Sequence, residues 1–257
     1  MTIRPIFVAV IAAAAAFALA ATATPAAAQG GWRSGALVAP VGTGDRVYGP
    51  AEAGLTLIVW LDPECPYCKQ FGQTGEKLVD ANNANTTGAN TTGANSTGKL
   101  NLIVRLMPLP FHGEPAIAAS AASLCVAEQA GAAGFYRFLD RYLALTATNG
   151  RGIPASAGRG SDAIGSLAQE AGASDVPALR TCRRAPETLR RVMGESAAAE
   201  AAGVGGTPSI AIRNNRTGDS LMADGAIPQD AIQSAIDWLA ARSAAKSTSG
   251  RSTSGGS

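Results

Sequence analysis

The sequence predicts an α/β domain interrupted by a helical insertion, on three observations. Residues 55–61 and 100–107 are short, mostly apolar runs, with β-branched and aromatic side chains in the first, the pattern of strands buried on both faces of a sheet. Between them Pro66 opens a helical pattern, which makes a βαβ unit. Residues 114–202 read as a series of helices, and residues 203–245 return to strands and a final helix.

Taken in order, residues 1–28 read as a secretory signal peptide. Arg4 precedes an apolar stretch from Ile6 to Ala21, and Ala26-Ala27-Ala28 before Gln29 fits the small-x-small cleavage pattern. An uncleaved membrane anchor is the other reading, weakened because the run is alanine-rich and falls short of about 20 residues. No cysteine stands near the cleavage point, which argues against a lipoprotein. Residues 29–50 form a Gly-rich extension with short strands expected at 36–38 and 46–48.

The α/β domain is expected in two parts. The first, residues 51–113, carries the βαβ unit and a low-complexity loop at 81–98, where Asn85-Thr86-Thr87-Gly88-Ala89 is repeated from Asn90 with almost nothing to bury. Its glycosylation-like Asn-x-Ser/Thr triplets read as compositional coincidence. The insertion, 114–202, is expected to hold helices at 115–130, 135–145, 162–171 and 186–202. In the second part, 203–245, strands at 210–213 and 220–223 form a hairpin. After Pro228, Ile232, Ala235, Ile236 and Leu239 recur at helical spacing. Residues 246–257, a Ser-Thr-Ser-Gly repeat, are expected to be a disordered tail.

A formal charge of +2 on 257 residues, with no basic run interleaved with aromatics, points to neither nucleic acid nor a membrane surface as partner. The 46% hydrophobic content is raised by alanine, which suits tightly packed helices.

The chemistry concentrates in Cys65-Pro66-Tyr67-Cys68. Asp62-Pro63-Glu64 ends the strand, Pro66 suits the first helical position, and residues 69–79 continue the helix, which makes Cys65 the N-cap. The unpaired amides and helix dipole there favour thiolate and can lower a cysteine pKa from about 8.5 into the range of about 3.5–7.5. Cys65 is therefore expected to face solvent as the nucleophile, with Cys68 one turn inward to resolve the mixed disulfide. A zinc site would want a second close pair of ligands, but Cys125 and Cys182 stand alone and His112 is the sole histidine. An inert structural disulfide stays open. No metal and no cofactor are expected.

Gly205-Gly206-Thr207-Pro208 precedes the second strand group. A cis bond at Pro208 would turn the Thr207 backbone toward a neighbour, whereas a trans proline would be an ordinary strand start. A nucleotide loop at Gly203-Val204-Gly205 is set aside, because Pro208 stands where that fingerprint wants Gly or Ala. In an exported chain, Cys125 and Cys182 are expected to pair as a structural disulfide, with two buried free thiols as the alternative. His112 reads as a loop or surface histidine rather than a proton shuttle.

The stretches 62–71 and 203–208 resemble the bacterial DsbA/DsbC/DsbG thiol-disulfide oxidoreductases. Pro108-Leu109-Pro110-Phe111-His112-Gly113, running into an Ala-rich helix with Cys125, is similar to DsbA-like members with a helical insertion. The likeness spans about residues 54–238. It implies a thioredoxin-like fold whose CxxC lies beside a cis-proline loop. Cys65 would attack, Cys68 resolve, Pro66 and Tyr67 complete the motif, and Thr207 and Pro208 bind substrate. The partners implied are cysteine-containing exported proteins and a membrane or periplasmic redox partner. Some relatives carry an acid six residues before the first cysteine, where Val59 stands here. The isomerases of this group begin with a dimerisation domain, for which residues 29–53 are too short. A monomeric periplasmic oxidase is therefore expected, with an isomerase or reductase as runner-up and a periplasmic metal-binding protein third.

Overall fold

The computed structural model describes residues 31–84, 97–157 and 162–251. The expected signal peptide, most of the low-complexity loop and the last residues of the tail lie outside the described residues. Six strands form one mixed sheet in the order β1-β6-β5-β3-β4-β2. They are β1 (Arg33–Ser34), β2 (Val47–Tyr48), β3 (Glu52–Leu61), β4 (Thr97–Leu106), β5 (Ser209–Asn214) and β6 (Ser220–Asp224). β3 and β4 run parallel, with Leu55 opposite Leu100 and Leu61 opposite Leu106, and the other pairings are antiparallel.

Strand alternation divides the core into two layers. Leu55, Leu57, Val59 and Leu61 of β3 face one side, where they join one cluster with Leu78, Phe135, Phe138, Ile232 and Leu239. Ile58 and Trp60 face the other, with Ile103, Ala199, Ala211 and Met222. Both layers bury β3 completely from Leu55 to Leu61, so its apolar run is the centre of the molecule.

The helices are α1 (Pro66–Phe71), α2 (Thr74–Asn83), α3 (Gly113–Leu145), α4 (Ala163–Glu170), α5 (Val176–Arg184), α6 (Pro186–Ala201) and α7 (Gln229–Arg251). The helix expected to continue from Pro66 to residue 79 is instead broken at Gly72, which takes φ +47°, a conformation glycine adopts without the strain a side chain would bring. α3 covers both of the first two expected insertion helices and kinks between them at Gly131, φ +63°. Its alanines 116, 119, 121 and 122 are wholly buried, and small side chains of this kind let helices approach closely.

Three differences from the sequence reading have local causes. α5 was not expected: it is only nine residues long and buries only Leu179, although Asp175 accepts the Ala178 N–H at 2.9 Å as an N-cap. The first extension strand lies at Arg33–Ser34 rather than 36–38, because the chain turns at Gly35, whose carbonyl accepts the Val38 amide, and Val38 is buried in the second layer. α7 runs to Arg251, into the tail expected from Lys246. Cys125 on α3 and Cys182 on α5 are joined by a disulfide, Sγ–Sγ 1.99 Å.

Candidate active site

The parallel step from β3 to α1 places Cys65 at the N-cap, in extended conformation (φ −76°, ψ 125°), with Pro66 in the first turn. Cys65 and Cys68 carry free thiols. β5 pairs antiparallel with β3, Ser209 opposite Trp60, so residues 207–208 arrive beside the turn after β3. The Thr207–Pro208 bond is cis. The Cys65 thiol donates to the Thr207 carbonyl at 3.2 Å. That lid makes Cys65 only 3% exposed, against the solvent-facing position expected of it. Tyr67, between the cysteines, is 63% exposed.

The two thiols are electrostatically unequal. Hydrogen bonding from Cys68 lowers the Cys65 pKa from 9.0 to about 6; burial opposes this, while Thr207 and the backbone amides of Cys68 and Tyr67 reinforce it. Burial raises Cys68 well above its ordinary value, and the neighbouring Cys65 pushes the same way.

Two carboxylates that sequence reasoning passed over hold this turn. Asp62 is wholly buried. Its carboxylate accepts the amides of Glu64 and Leu109 at 2.7 Å each and contacts His112 Nδ1 at 2.6 Å. Burial raises its pKa against those hydrogen bonds. His112 is thus no surface histidine: it is 4% exposed and locked to Asp62 on a short 3-10 turn, Pro110–His112. Glu64, also wholly buried, accepts from Tyr142 Oη at 2.7 Å, Thr146 Oγ1 at 2.6 Å and the Gly152 amide at 3.0 Å. Its carbonyl accepts the Asn149 amide at 2.8 Å, and Lys69 Nζ donates to the Thr146 carbonyl at 2.7 Å. The loop 146–152, which follows α3, is thereby strapped to residues on both sides of Cys65. The sequence signal for this was two acids ending an apolar run; their burial depends on partners 47 to 88 residues away.

A cavity of about 730 Å³ lies elsewhere, lined by Tyr48, Glu76, Asp80, Tyr136 and Asp140 among others. Among the described residues no group of three or more His, Cys, Asp or Glu side chains could hold a metal ion.

A family model described as Thioredoxin matches residues 42–238. The solved structure of Pseudomonas aeruginosa DsbA2 is similar at 28% identity, covering 79% of this chain and 96% of that one with a TM-score of 0.61. The fold is shared with a single-substitution variant of alpha-DsbA1 from Wolbachia pipientis, at 16% identity over 82% of this chain and 98% of that one, TM-score 0.60. It is shared too with a periplasmic thioredoxin-like protein from Salmonella enterica serovar Typhimurium, at 22% identity over 79% and 92%, TM-score 0.54. No curated protein matches the chain significantly.

Proposed function

The chain belongs to the thioredoxin family and is a thiol-disulfide oxidoreductase, and from that premise we propose that it works as a periplasmic dithiol oxidase through Cys65 and Cys68. The observation that carries the direction is the inequality of the two thiols. A low Cys65 pKa stabilises the reduced enzyme as its thiolate, so the oxidised Cys65–Cys68 disulfide is the higher-energy, electron-accepting form.

A client thiolate attacks Cys65 Sγ and Cys68 departs, leaving a mixed disulfide between client and Cys65. A second client thiolate attacks the client sulfur, closes the client's disulfide and releases Cys65 as its stabilised thiolate. Two electrons pass from client to enzyme, and a membrane or periplasmic redox partner removes them. Thr207 and Pro208 line the place where an extended client backbone would lie beside Cys65. The leader-like residues 1–28 and the Cys125–Cys182 disulfide support an exported, oxidising setting.

A glutathione redox titration, with alkylation and mass spectrometry reading each cysteine pair separately, tests this. A Cys65–Cys68 potential between about −120 and −180 mV is expected. A value near about −270 mV would make the protein a reductant, and a pair locked beyond about −300 mV would remove exchange catalysis at this site.

A further inference from the structure

The loop 203–208, which carries the cis Thr207–Pro208 bond, has little side-chain mass to fix its place. Gly203, Gly205 and Gly206 make up half of it, and a Cβ at Gly205 or Gly206 would meet nothing within 4 Å. Neither of those two takes a positive φ, so no tight turn requires them, and they leave the backbone free unless something ties it. Yet the loop has to be placed closely, because the Thr207 carbonyl accepts the Cys65 thiol at 3.2 Å.

The ties converge on Asp224, the last residue of β6. The β5–β6 pairing sets Asp224 opposite Ser209, whose hydroxyl donates to Asp224 Oδ1 at 2.7 Å and lies 2.7 Å from the Gly206 carbonyl. Arg33 on β1 reaches both Asp224 oxygens, at 2.8 and 3.1 Å, and donates to the Gly203 carbonyl at 3.0 Å. The next residue, Gly225, donates its amide to the Pro208 carbonyl at 2.8 Å. Burial works against the charged carboxylate, but Arg33, Ser209 and the Gly205 amide hold the Asp224 pKa below its ordinary value. The Arg33 and Asp224 side chains are 39% and 47% exposed, so as a surface ion pair they add little to global stability. Their hydrogen bonds are spent on the loop instead.

We infer that Asp224, acting with Arg33 and Ser209, is a positioning residue for client exchange: it holds the loop so that the Thr207 backbone stays in fixed relation to Cys65. This rests on the exchange chemistry assigned to the cysteines and the client site assigned to Thr207 and Pro208 above. An extended client that lays its backbone beside Thr207 presents its sulfur to Cys65 only while loop and cysteine keep one geometry. A thiol without a peptide backbone needs the cysteine alone, so loosening the loop separates the two kinds of reductant. Asp224 acts through the loop and not on the sulfur. Arg33 brings the N-terminal extension into the support of the site.

The test compares the rates at which the oxidised protein reacts with a reduced, unstructured two-cysteine peptide and with dithiothreitol, each relative to wild type. In Asp224→Ala the peptide rate constant is expected to fall about tenfold and the dithiothreitol constant by less than about twofold. Arg33→Gln, which weakens the tie to Gly203, should shift the ratio of the two constants the same way by about threefold. Equal slowing of both reactions overturns the proposal, because a general structural role gives that pattern. So does a peptide constant in Asp224→Ala within about twofold of wild type. If Asp224→Ala fails to fold, Arg33→Gln decides, and an unchanged ratio there overturns the proposal. Failure of the exchange reading looks different: the wild-type protein would oxidise neither the peptide nor dithiothreitol.

Discussion

Cys68→Ala, in the reduced protein, removes the largest influence that lowers the Cys65 pKa. The difference between 9.0 and about 6 corresponds to about 4 kcal/mol of preference for thiolate. The sign follows from a folded-state pKa lying below the unfolded one. The stabilisation of the reduced protein is fully present above about pH 9 and is lost as pH falls through about 6. If the pKa rises to about 8 in the variant, the thiolate fraction at pH 7 falls from about nine-tenths to about one-tenth. Thiolate absorbance at 240 nm against pH, and the iodoacetamide rate at pH 7, read this directly, and the rate should drop about tenfold. A single-cysteine variant that still titrates near 6 would refute the reasoning and put the stabilisation in the helix N-terminus alone.

Three further outcomes are expected. Glu76, raised to about 7 by burial and then by Asp140, should make the fold lose stability as pH rises from about 4.5 to 7, by about 3 kcal/mol, and Glu76→Gln should flatten that slope in urea titrations. Glu64→Ala strands the donors of Tyr142, Thr146 and Gly152 in a buried site and should cost about 3 kcal/mol by urea unfolding; a loss below about 1 kcal/mol would mean the strap is dispensable. Gly150→Ala places a Cβ 2.8 Å from the His112 carbonyl at φ +75°, and should lower Tm with a cost of about 1–3 kcal/mol, whereas an unchanged Tm would show that the loop yields freely.

Much of this was legible along the chain because it depends on local pattern. The apolar run of β3 shows its burial, Pro66 after Cys65 shows the helix start, and the spacing of Ile232, Ala235, Ile236 and Leu239 shows the packed face of α7. α5 escaped because it is short, rich in arginine and buries little besides Leu179. The break at Gly72 escaped because glycine is tolerated inside helical patterns as well as at their ends.

The sequence by itself determined the α/β framework, the two-cysteine motif at a helix N-terminus and the proline-bearing approach to β5, since each follows from neighbours in the chain. Only the tertiary structure decided which carboxylates are buried and what they hold. Asp62 meets His112, and Glu64 meets Tyr142, Thr146 and Gly152, through contacts between segments that the packing of β3, β4 and α3 brings together. Burial turns an ordinary acid into one that must find partners, and the identity of those partners is a property of the fold rather than of any stretch of sequence.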